Sequence, residues 1–129
     1  KQLLPGALFP KAKHVITECA RVLQAAEALQ YGNLLKVGKL LQASHESLRD
    51  DFEVSCPELD FLAQQAESKA GVLGTRMMGG GFGGCTINII KKLAVEEITK
   101  ALTANYAKKM HKELAVYITS IEDGTHLVS

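Results

Sequence analysis

The feature that most constrains this chain is a run of glycines: five of the six residues from position 79 to position 84, in the stretch MMGGGFGGCTINII. Each glycine costs about 0.5–1 kcal/mol relative to alanine where an ordinary helix or strand would form. The run therefore costs a few kcal/mol, out of the ~5–15 kcal/mol that stabilises a typical domain. Two explanations follow: a turn that side chains cannot adopt, or a backbone that must come close to something else.

The residues on both sides of the glycine run have the character of β-strands. Residues 72–78 are short and extended in character, and residues 85–90 alternate apolar with polar side chains in a half-buried pattern. The sequence therefore predicts a β-hairpin whose connection is the glycine-rich loop, consisting of Gly79, Gly80, Gly81, Phe82, Gly83 and Gly84. Alternation over residues 114–119 predicts a last strand, and a fourth could come from FEVS at 52–55 or from the first few residues.

Apolar residues at helical spacing predict helices around this hairpin. The first begins at Pro10 and shows one apolar face made of Val15, Cys19, Val22, Ala26 and Leu29. Gly32 is predicted to end it and Asn33 to cap a second helix, which carries Leu34, Val37, Leu41 and Leu48 on one side. The two helices are expected to form an antiparallel hairpin.

A third and a fourth predicted helix lie on either side of the strands. Ser55 and Glu58 have the spacing of a capping box, Pro57 suits a first turn, and Gly71 is expected to end the helix. The apolar positions of the third helix are Leu59, Leu62, Ala63 and Ala66, and those of the fourth are Ala94, Ile98, Ala101 and Leu102. The order predicts an α+β fold, an antiparallel sheet covered by helices.

Composition narrows the class of protein. The chain has 129 residues and a net charge of +1, which suits one globular domain and argues against a dedicated nucleic-acid binder. No apolar run is long enough to span a membrane, and no leader precedes the first helix. Three cysteines without CxxC spacing indicate reduced thiols in a cytoplasmic protein. The absence of an initiator methionine suggests a piece of something longer.

The glycine spacing matches known phosphate-binding motifs only superficially. Gly79-x-Gly81-x-x-Gly84 fits the dinucleotide fingerprint, but a strand pattern follows where that fingerprint needs a helix. A P-loop needs lysine and serine or threonine after its last glycine, where Cys85 and Thr86 stand. What remains is a hairpin tip that either forms an anion-binding nest or lies as a tight turn against another part of the protein.

No other cluster indicates chemistry. His45 has no second histidine four residues later, and the adjacent Asp50 and Asp51 are expected to end a helix rather than bind a metal. No Ser/His/Asp set is evident, and Cys56 and Cys85 are expected to be buried small residues. The sequence therefore predicts neither a catalytic residue nor a metal ligand.

Three segments carry a family resemblance: HVITECARV at 14–22, SHESLRDDFEVSCPELD at 44–60 and GVLGTRMMGGGFGGCTINII at 71–90. Together they resemble the C-terminal part of the galactokinases, within the GHMP family of small-molecule kinases. The resemblance implies that residues 1–129 form one ferredoxin-like GHMP C-terminal domain with an N-terminal helical hairpin. In such kinases the third motif, here the glycine-rich loop, packs near the phosphates and the substrate.

The resemblance also implies a function for the intact enzyme. It would transfer the γ-phosphate of Mg-ATP to the anomeric hydroxyl of galactose, in the cytoplasm, giving galactose 1-phosphate. The sugar pocket, the phosphate loop, the magnesium ligand and the catalytic aspartate would belong to an N-terminal domain that these residues lack. The implied partners are galactose, ATP and that N-terminal domain, with no nucleic acid and no membrane, and the fragment alone is expected to be inactive.

Three residues depart from the family pattern: Met78, Cys19 and Phe52 stand where threonine, asparagine and tyrosine are common. The alternatives are an N-acetylgalactosamine kinase, a non-catalytic sensor of sugar and ATP on the same fold, or an autonomous ligand-binding or RNA-binding module. The last is disfavoured because the strand at 85–90 has no aromatic residue for base stacking. In the intact enzyme, Gly81→Val is expected to reduce turnover more than folding.

Overall fold

A computed structural model describes residues 5–120 and contains the expected β-hairpin. Strand β1 (Val72–Met78) pairs antiparallel with β2 (Cys85–Ile90), and Met78 lies opposite Cys85 at the end that carries the glycine-rich loop. Both strand spans and the position of the loop agree with the sequence prediction. The hairpin therefore presents six residues, 79–84, beyond its last strand pair.

The predicted helices are confirmed, with small differences at their ends. They are α1 (Leu8–Gln30), α2 (Leu34–Ser47), a π-helical turn (Leu48–Phe52), α3 (Pro57–Glu67), a 3-10 turn (Lys92–Ala94) and α4 (Val95–Met110). Between α1 and α2, Gly32 takes a left-handed φ of 65°, and the Asn33 side chain accepts a hydrogen bond from the Lys36 N–H at 3.0 Å. These are the joint and the cap that the sequence indicated. The helices of residues 5–120 are too short or too polar to cross a bilayer.

The apolar face predicted on α1 is exposed in the structure. Val15 and Val22 are 52% and 59% exposed. The face that packs on α2 has the same helical spacing but is shifted by one residue, and it consists of His14, Glu18, Arg21, Ala25 and Ala28. Small alanines allow a close approach there, His14 and Glu18 find partners on α2, and Arg21 pairs with Glu18. Periodicity thus identified the helix but not the side that packs.

Helix α2 runs directly against the backbone of β1, at a crossing of two glycines. A Cβ on Gly38 would lie 1.6 Å from the carbonyl oxygen of Leu73, and a Cβ on Gly74 would lie 2.3 Å from the Cα of Gly38. No alanine fits at either position without moving a backbone. The crossing brings α2 along the edge of β1 that faces away from β2.

Two apolar clusters form the core of the described chain. Leu48, Leu59 and Met77 form one cluster at the loop end of the hairpin, and Ala66, Ile98 and Leu102 form the other at the opposite end. The four apolar positions predicted on α3, Leu59, Leu62, Ala63 and Ala66, are all buried. Helix α3 therefore connects the two clusters beneath the strands.

The predicted strand at residues 114–119 is wrong for the described chain. This segment lines one side of a groove of about 760 Å³, and β2 lines the other side. A strand forms only when a neighbour lies about 4.8 Å away and accepts its backbone hydrogen bonds. FEVS is not a strand either, since Phe52 ends the π-helical turn and Glu53 has a left-handed φ of 61°. Residues 1–4 lie outside the described range.

The predicted capping box is also wrong. Cys56 is the N-cap of α3 and makes no side-chain cap, although Pro57 occupies the first turn as expected. The Ser55 hydroxyl donates instead to Asp60 Oδ1 at 2.5 Å, and Glu58 pairs with Lys112. Helix α3 ends at Glu67, four residues before Gly71, which lies just before β1. Asp60 and Lys112 thus engage the two side chains that would have formed the cap.

The glycine crossing generates a stability prediction. We expect Gly38→Ala to lower the free energy of unfolding by at least about 3 kcal/mol, because the added Cβ meets backbone that cannot rotate away. Gly6→Ala is the matched control, since within residues 5–120 no atom beyond its chain neighbours lies within 4 Å of its Cβ position, and we expect a change within about 0.5 kcal/mol. Denaturant unfolding measures the free energy of unfolding of both variants. Equal midpoints would contradict the close contact between Gly38 and the backbone of β1.

Candidate functional site

The backbone conformation of the glycine-rich loop explains most of its glycines. Gly79, Gly81, Gly83 and Gly84 have φ values of 84°, 83°, 127° and 89°, a region that side chains disfavour. Gly80 is the exception, because its φ is not positive. The first explanation suggested by the sequence, a turn that side chains exclude, therefore holds for four of the five glycines.

Gly81 also satisfies the second explanation, but the close approach is to its own chain. A Cβ on Gly81 would lie 1.9 Å from the carbonyl oxygen of Val54. The adjacent Phe82 N–H donates to that same oxygen at 2.8 Å. The loop tip is thus fastened to the segment between the π-helical turn and α3. The contact predicts that a substitution at Gly81 also destabilises the fold, and the expected larger effect of Gly81→Val on turnover stays a prediction.

For two loop residues, the described chain does not explain the residue type: the glycine at Gly80 and the aromatic side chain at Phe82. No described atom lies within 4 Å of a Cβ built on Gly80, and its φ is ordinary. Phe82 has a left-handed φ of 55° and is 77% exposed. A strained, exposed aromatic residue beside a glycine without a local reason is typical of a site that meets a ligand or another part of a protein.

The strand leading into the loop is held by His45. His45 Nδ1 accepts a hydrogen bond from the Met77 N–H at 3.1 Å, and both residues are buried. On the other side of the ring, Nε2 lies 3.3 Å from Asp60 Oδ1 without a well-directed hydrogen bond. Burial lowers the pKa of His45, and the Asp60 carboxylate opposes that shift only in part. His45 is therefore a neutral acceptor at neutral pH.

The Met77 carbonyl is held by Arg76, which in turn pairs with Glu18 of α1. Arg76 Nε donates to the Met77 carbonyl at 2.8 Å, while Arg76 Nη1 lies 3.4 Å from Glu18 Oε1. Glu18 also accepts hydrogen bonds from Ser44 at 2.6 Å and from Arg21 at 2.7 Å. Burial raises the pKa of Glu18, but these hydrogen bonds and the nearby arginines outweigh it, so the net pKa is lowered. The Met77 N–H thus depends on a side chain of α2, and the Met77 carbonyl depends on its neighbour on β1, which is itself paired with α1.

The structure brings together a histidine, a serine and an aspartate that the sequence did not reveal. His14 Nδ1 lies 2.9 Å from Ser47 Oγ, and Ser47 donates to Asp51 Oδ2 at 3.0 Å. Since the single hydroxyl proton goes to Asp51, His14 Nδ1 is the donor to Ser47. The serine stands between the other two and is 7% exposed, so this is a link between α1 and α2 and not an activated nucleophile.

The remaining candidate residues from the sequence are two adjacent aspartates and two cysteines. Asp50 and Asp51 lie in the π-helical turn that follows α2, where the helix ends as expected. Asp50 pairs with Arg49 of the same turn, and Asp51 pairs with Lys13 of α1. Cys56 is half-buried, but Cys85 is exposed, which corrects the expectation that it is buried. Within residues 5–120, no three His, Cys, Asp or Glu side chains lie together in a way that could hold a metal.

Comparison with known proteins assigns this chain to a family. The family described as "GHMP kinases C terminal" matches residues 25–108. The galactokinases of Mannheimia succiniciproducens, Clostridium beijerinckii and Bos taurus are 42%, 44% and 41% identical over 96%, 92% and 99% of this chain. The matched stretches make up 32%, 30% and 32% of those proteins, so the chain spans about a third of their length.

Solved structures agree with the sequence relatives. The structure of Lactococcus lactis galactokinase complexed with galactose is 42% identical, with a TM-score of 0.82, over 86% of this chain and 29% of that one. L. major mevalonate kinase in complex with R-mevalonate is 35% identical, with a TM-score of 0.60, over 66% of this chain and 26% of that one. The chain therefore belongs to the GHMP kinase family, and it corresponds to the C-terminal part of these kinases.

Proposed function

We propose that residues 1–129 are the C-terminal domain of a galactokinase. The intact enzyme would transfer the γ-phosphate of Mg-ATP to the anomeric hydroxyl of galactose and release galactose 1-phosphate. The observation that carries this proposal is identity of 41–44% over nearly the whole chain to proteins named galactokinase, from bacteria and cattle. We place the enzyme in the cytoplasm, in keeping with its three free thiols.

In this proposal the glycine-rich loop contributes backbone to the active-site cleft. Phosphoryl transfer depends on positioning and on neutralising the charge of the phosphates, and Mg-ATP supplies the phosphoryl group and the divalent cation. At Gly79, Gly80 and Gly83 no described atom beyond the chain neighbours lies within 4 Å of the Cβ position, so this part of the described backbone is open to a phosphate or to another domain. The sugar pocket, phosphate loop, magnesium ligand and catalytic aspartate would belong to the N-terminal domain.

The outer face of α1 supports the existence of such a domain. Ile16 and Leu23, seven residues apart on one side of the helix, are 71% and 74% exposed, and Val15 and Val22 extend the same apolar surface. An apolar face of this extent on a single helix is typical of an interface. Since the relatives are about three times as long as this chain, we assign the face to the remainder of the same polypeptide.

The test of the proposal is galactose-dependent ADP release by the full-length protein, with N-acetylgalactosamine as the competing acceptor. Turnover of galactose supports a galactokinase, and preference for N-acetylgalactosamine indicates the related kinase. Binding of galactose and ATP without turnover indicates a sensor. The 129-residue chain alone should release no ADP, and activity of the pure fragment would contradict the division of labour proposed here.

Gly80 provides the sharpest test of the role of the loop. In the full-length protein we expect Gly80→Ala to fold normally but to lower kcat/KM for ATP by about tenfold or more, since displacing a reacting group by ~1 Å can cost up to ~10²-fold. The control is Gly6→Ala, which is equally unobstructed and lies outside the loop. Equal steady-state kinetics for both variants would contradict the proposal that the Gly80 backbone contributes to the cleft.

The neighbouring Gly81 should behave in the opposite way. We expect Gly81→Ala to lower the free energy of unfolding by about 2–4 kcal/mol, because the methyl group meets the Val54 carbonyl and its φ of 83° is strained for alanine. Gly80→Ala should change it by no more than about 0.5 kcal/mol. Denaturant unfolding of the two variants measures the difference, and equal stabilities would contradict the fastening of the loop tip.

The α1 face predicts how the isolated chain behaves. We expect the 129-residue chain to self-associate at micromolar concentration, and the double variant Ile16→Glu/Leu23→Glu to reduce this, because the apolar surface becomes charged. Sedimentation velocity measures the shift. The control is Lys100→Glu on α4, an exposed charge change away from that face. A monomeric wild-type chain would remove this argument for an interface.

A further inference from the structure

The two attachment points of the glycine-rich loop meet in one polar cluster. Before the loop, the Met77 N–H donates to His45 Nδ1, and at the tip, the Phe82 N–H donates to the Val54 carbonyl. Ser55, the residue after Val54, donates to Asp60 Oδ1, the same oxygen that lies 3.3 Å from His45 Nε2. The cluster therefore connects the end of β1 to the segment that receives the loop tip.

We propose that His45 and Asp60 are positioning residues for the glycine-rich loop, holding its backbone in place from both attachment points without touching substrate. The inference rests on the proposed function, because the loop matters to phosphoryl transfer only if it lies in the cleft. Met77 is completely buried, so its N–H has no water to replace the His45 nitrogen. Loss of that acceptor would leave an unpaired buried donor next to the loop.

The hydrogen bonds fix which nitrogen of His45 carries the proton. Nδ1 accepts from a backbone N–H and is therefore unprotonated, so the proton of the neutral ring is on Nε2, facing the Asp60 carboxylate. A second proton could bind only at Nδ1, where it would point at the Met77 N–H. Protonation of His45 thus turns an acceptor into a donor and breaks the attachment of β1.

The charges around His45 come from every element that packs against it. Asp60 on α3 favours the protonated ring, while Arg49 on the π-helical turn and Arg76 on β1 oppose it. Glu46 and Glu67 line the same pocket of about 270 Å³, and solvent enters there, since the Asp60 side chain is 34% exposed. Burial lowers the His45 pKa below its ordinary value of 6.5, so the attachment is intact at neutral pH and is lost as the pH falls through the lowered pKa.

The experiment compares the full-length protein with His45→Asn and His45→Leu, measuring kcat/KM for ATP from pH 5 to 8 and amide hydrogen exchange over residues 72–84. In the wild type, both activity and protection of the Met77 amide should fall together below pH 6.5. Asparagine keeps an acceptor near Nδ1 and does not titrate, so H45N should lose this acid limb and retain most of its activity at neutral pH. H45L lacks an acceptor and should lose about tenfold or more in kcat/KM and in Met77 protection at every pH.

Two further variants make the test independent of folding failure. Asp60→Asn keeps an oxygen for Ser55 but removes the charge that favours protonated His45, so the acid limb should move to lower pH. His111→Asn is the control, because His111 is exposed at the end of α4 in a left-handed conformation that asparagine tolerates, and its profile should match the wild type. An acid limb unchanged in both H45N and D60N, or Met77 protection unaffected in H45L, would overturn the proposal.

The exchange measurement also separates this proposal from the proposed function. Protection of the Met77 amide depends only on the attachment of β1 and not on any catalytic activity. If the full-length protein showed no kinase activity while protection still followed His45, the proposed function would fail and the attachment would stand. If activity were present but did not depend on His45, the positioning role would fail alone.

Discussion

The glycine-rich loop depends on how the N–H and the carbonyl of one residue, Met77, are satisfied. Met77 is fully buried and both groups point away from β2, so neither water nor the partner strand can pair with them. Its N–H is satisfied by His45 from α2 and its carbonyl by Arg76, which is itself oriented towards Glu18 of α1. A buried peptide group without a partner would cost about 1–3 kcal/mol. Side chains therefore take the place of a neighbouring strand, and His45 can do so because the glycine crossing brings α2 against β1.

This arrangement explains why the two longest segments of family resemblance belong together. The segment at 44–60 supplies His45, which Asp60 contacts, and the Val54 carbonyl. The segment at 71–90 supplies the N–H groups of Met77 and Phe82, which donate to His45 and to Val54 respectively. The first segment thus supports the second, and the π-helical turn within the first segment directs the chain from α2 to Val54, which holds the loop tip. In the proposed function the loop acts through its backbone, and that backbone is held by the His45 side chain and by the Val54 carbonyl, both outside the loop.

The surfaces of the chain are as informative as its core. The outer face of α1 and the groove between β2 and residues 114–119 both present apolar side chains to solvent, at sites where a sheet or a helix pair would ordinarily be completed. Phe82 is a third exposed apolar site: its backbone has a strained, left-handed φ, and its side chain is largely exposed. All three features are consistent with a chain that spans about a third of the length of its relatives.

The sequence by itself determined the helices, the hairpin and the position of the loop, because periodicity, glycines and caps act over a few residues. It also carried the family resemblance, through motifs that are contiguous in the chain. Tertiary structure alone decided which side of α1 packs, since the faces containing Val15 and His14 have the same spacing and differ only in their partners. It also decided that residues 114–119 form no strand with any part of residues 5–120, that Glu58 binds Lys112 instead of completing a capping box with Ser55, and that Gly81, unlike Gly80, lies against the backbone of Val54. These outcomes depend on contacts between residues distant in sequence, which no local pattern encodes.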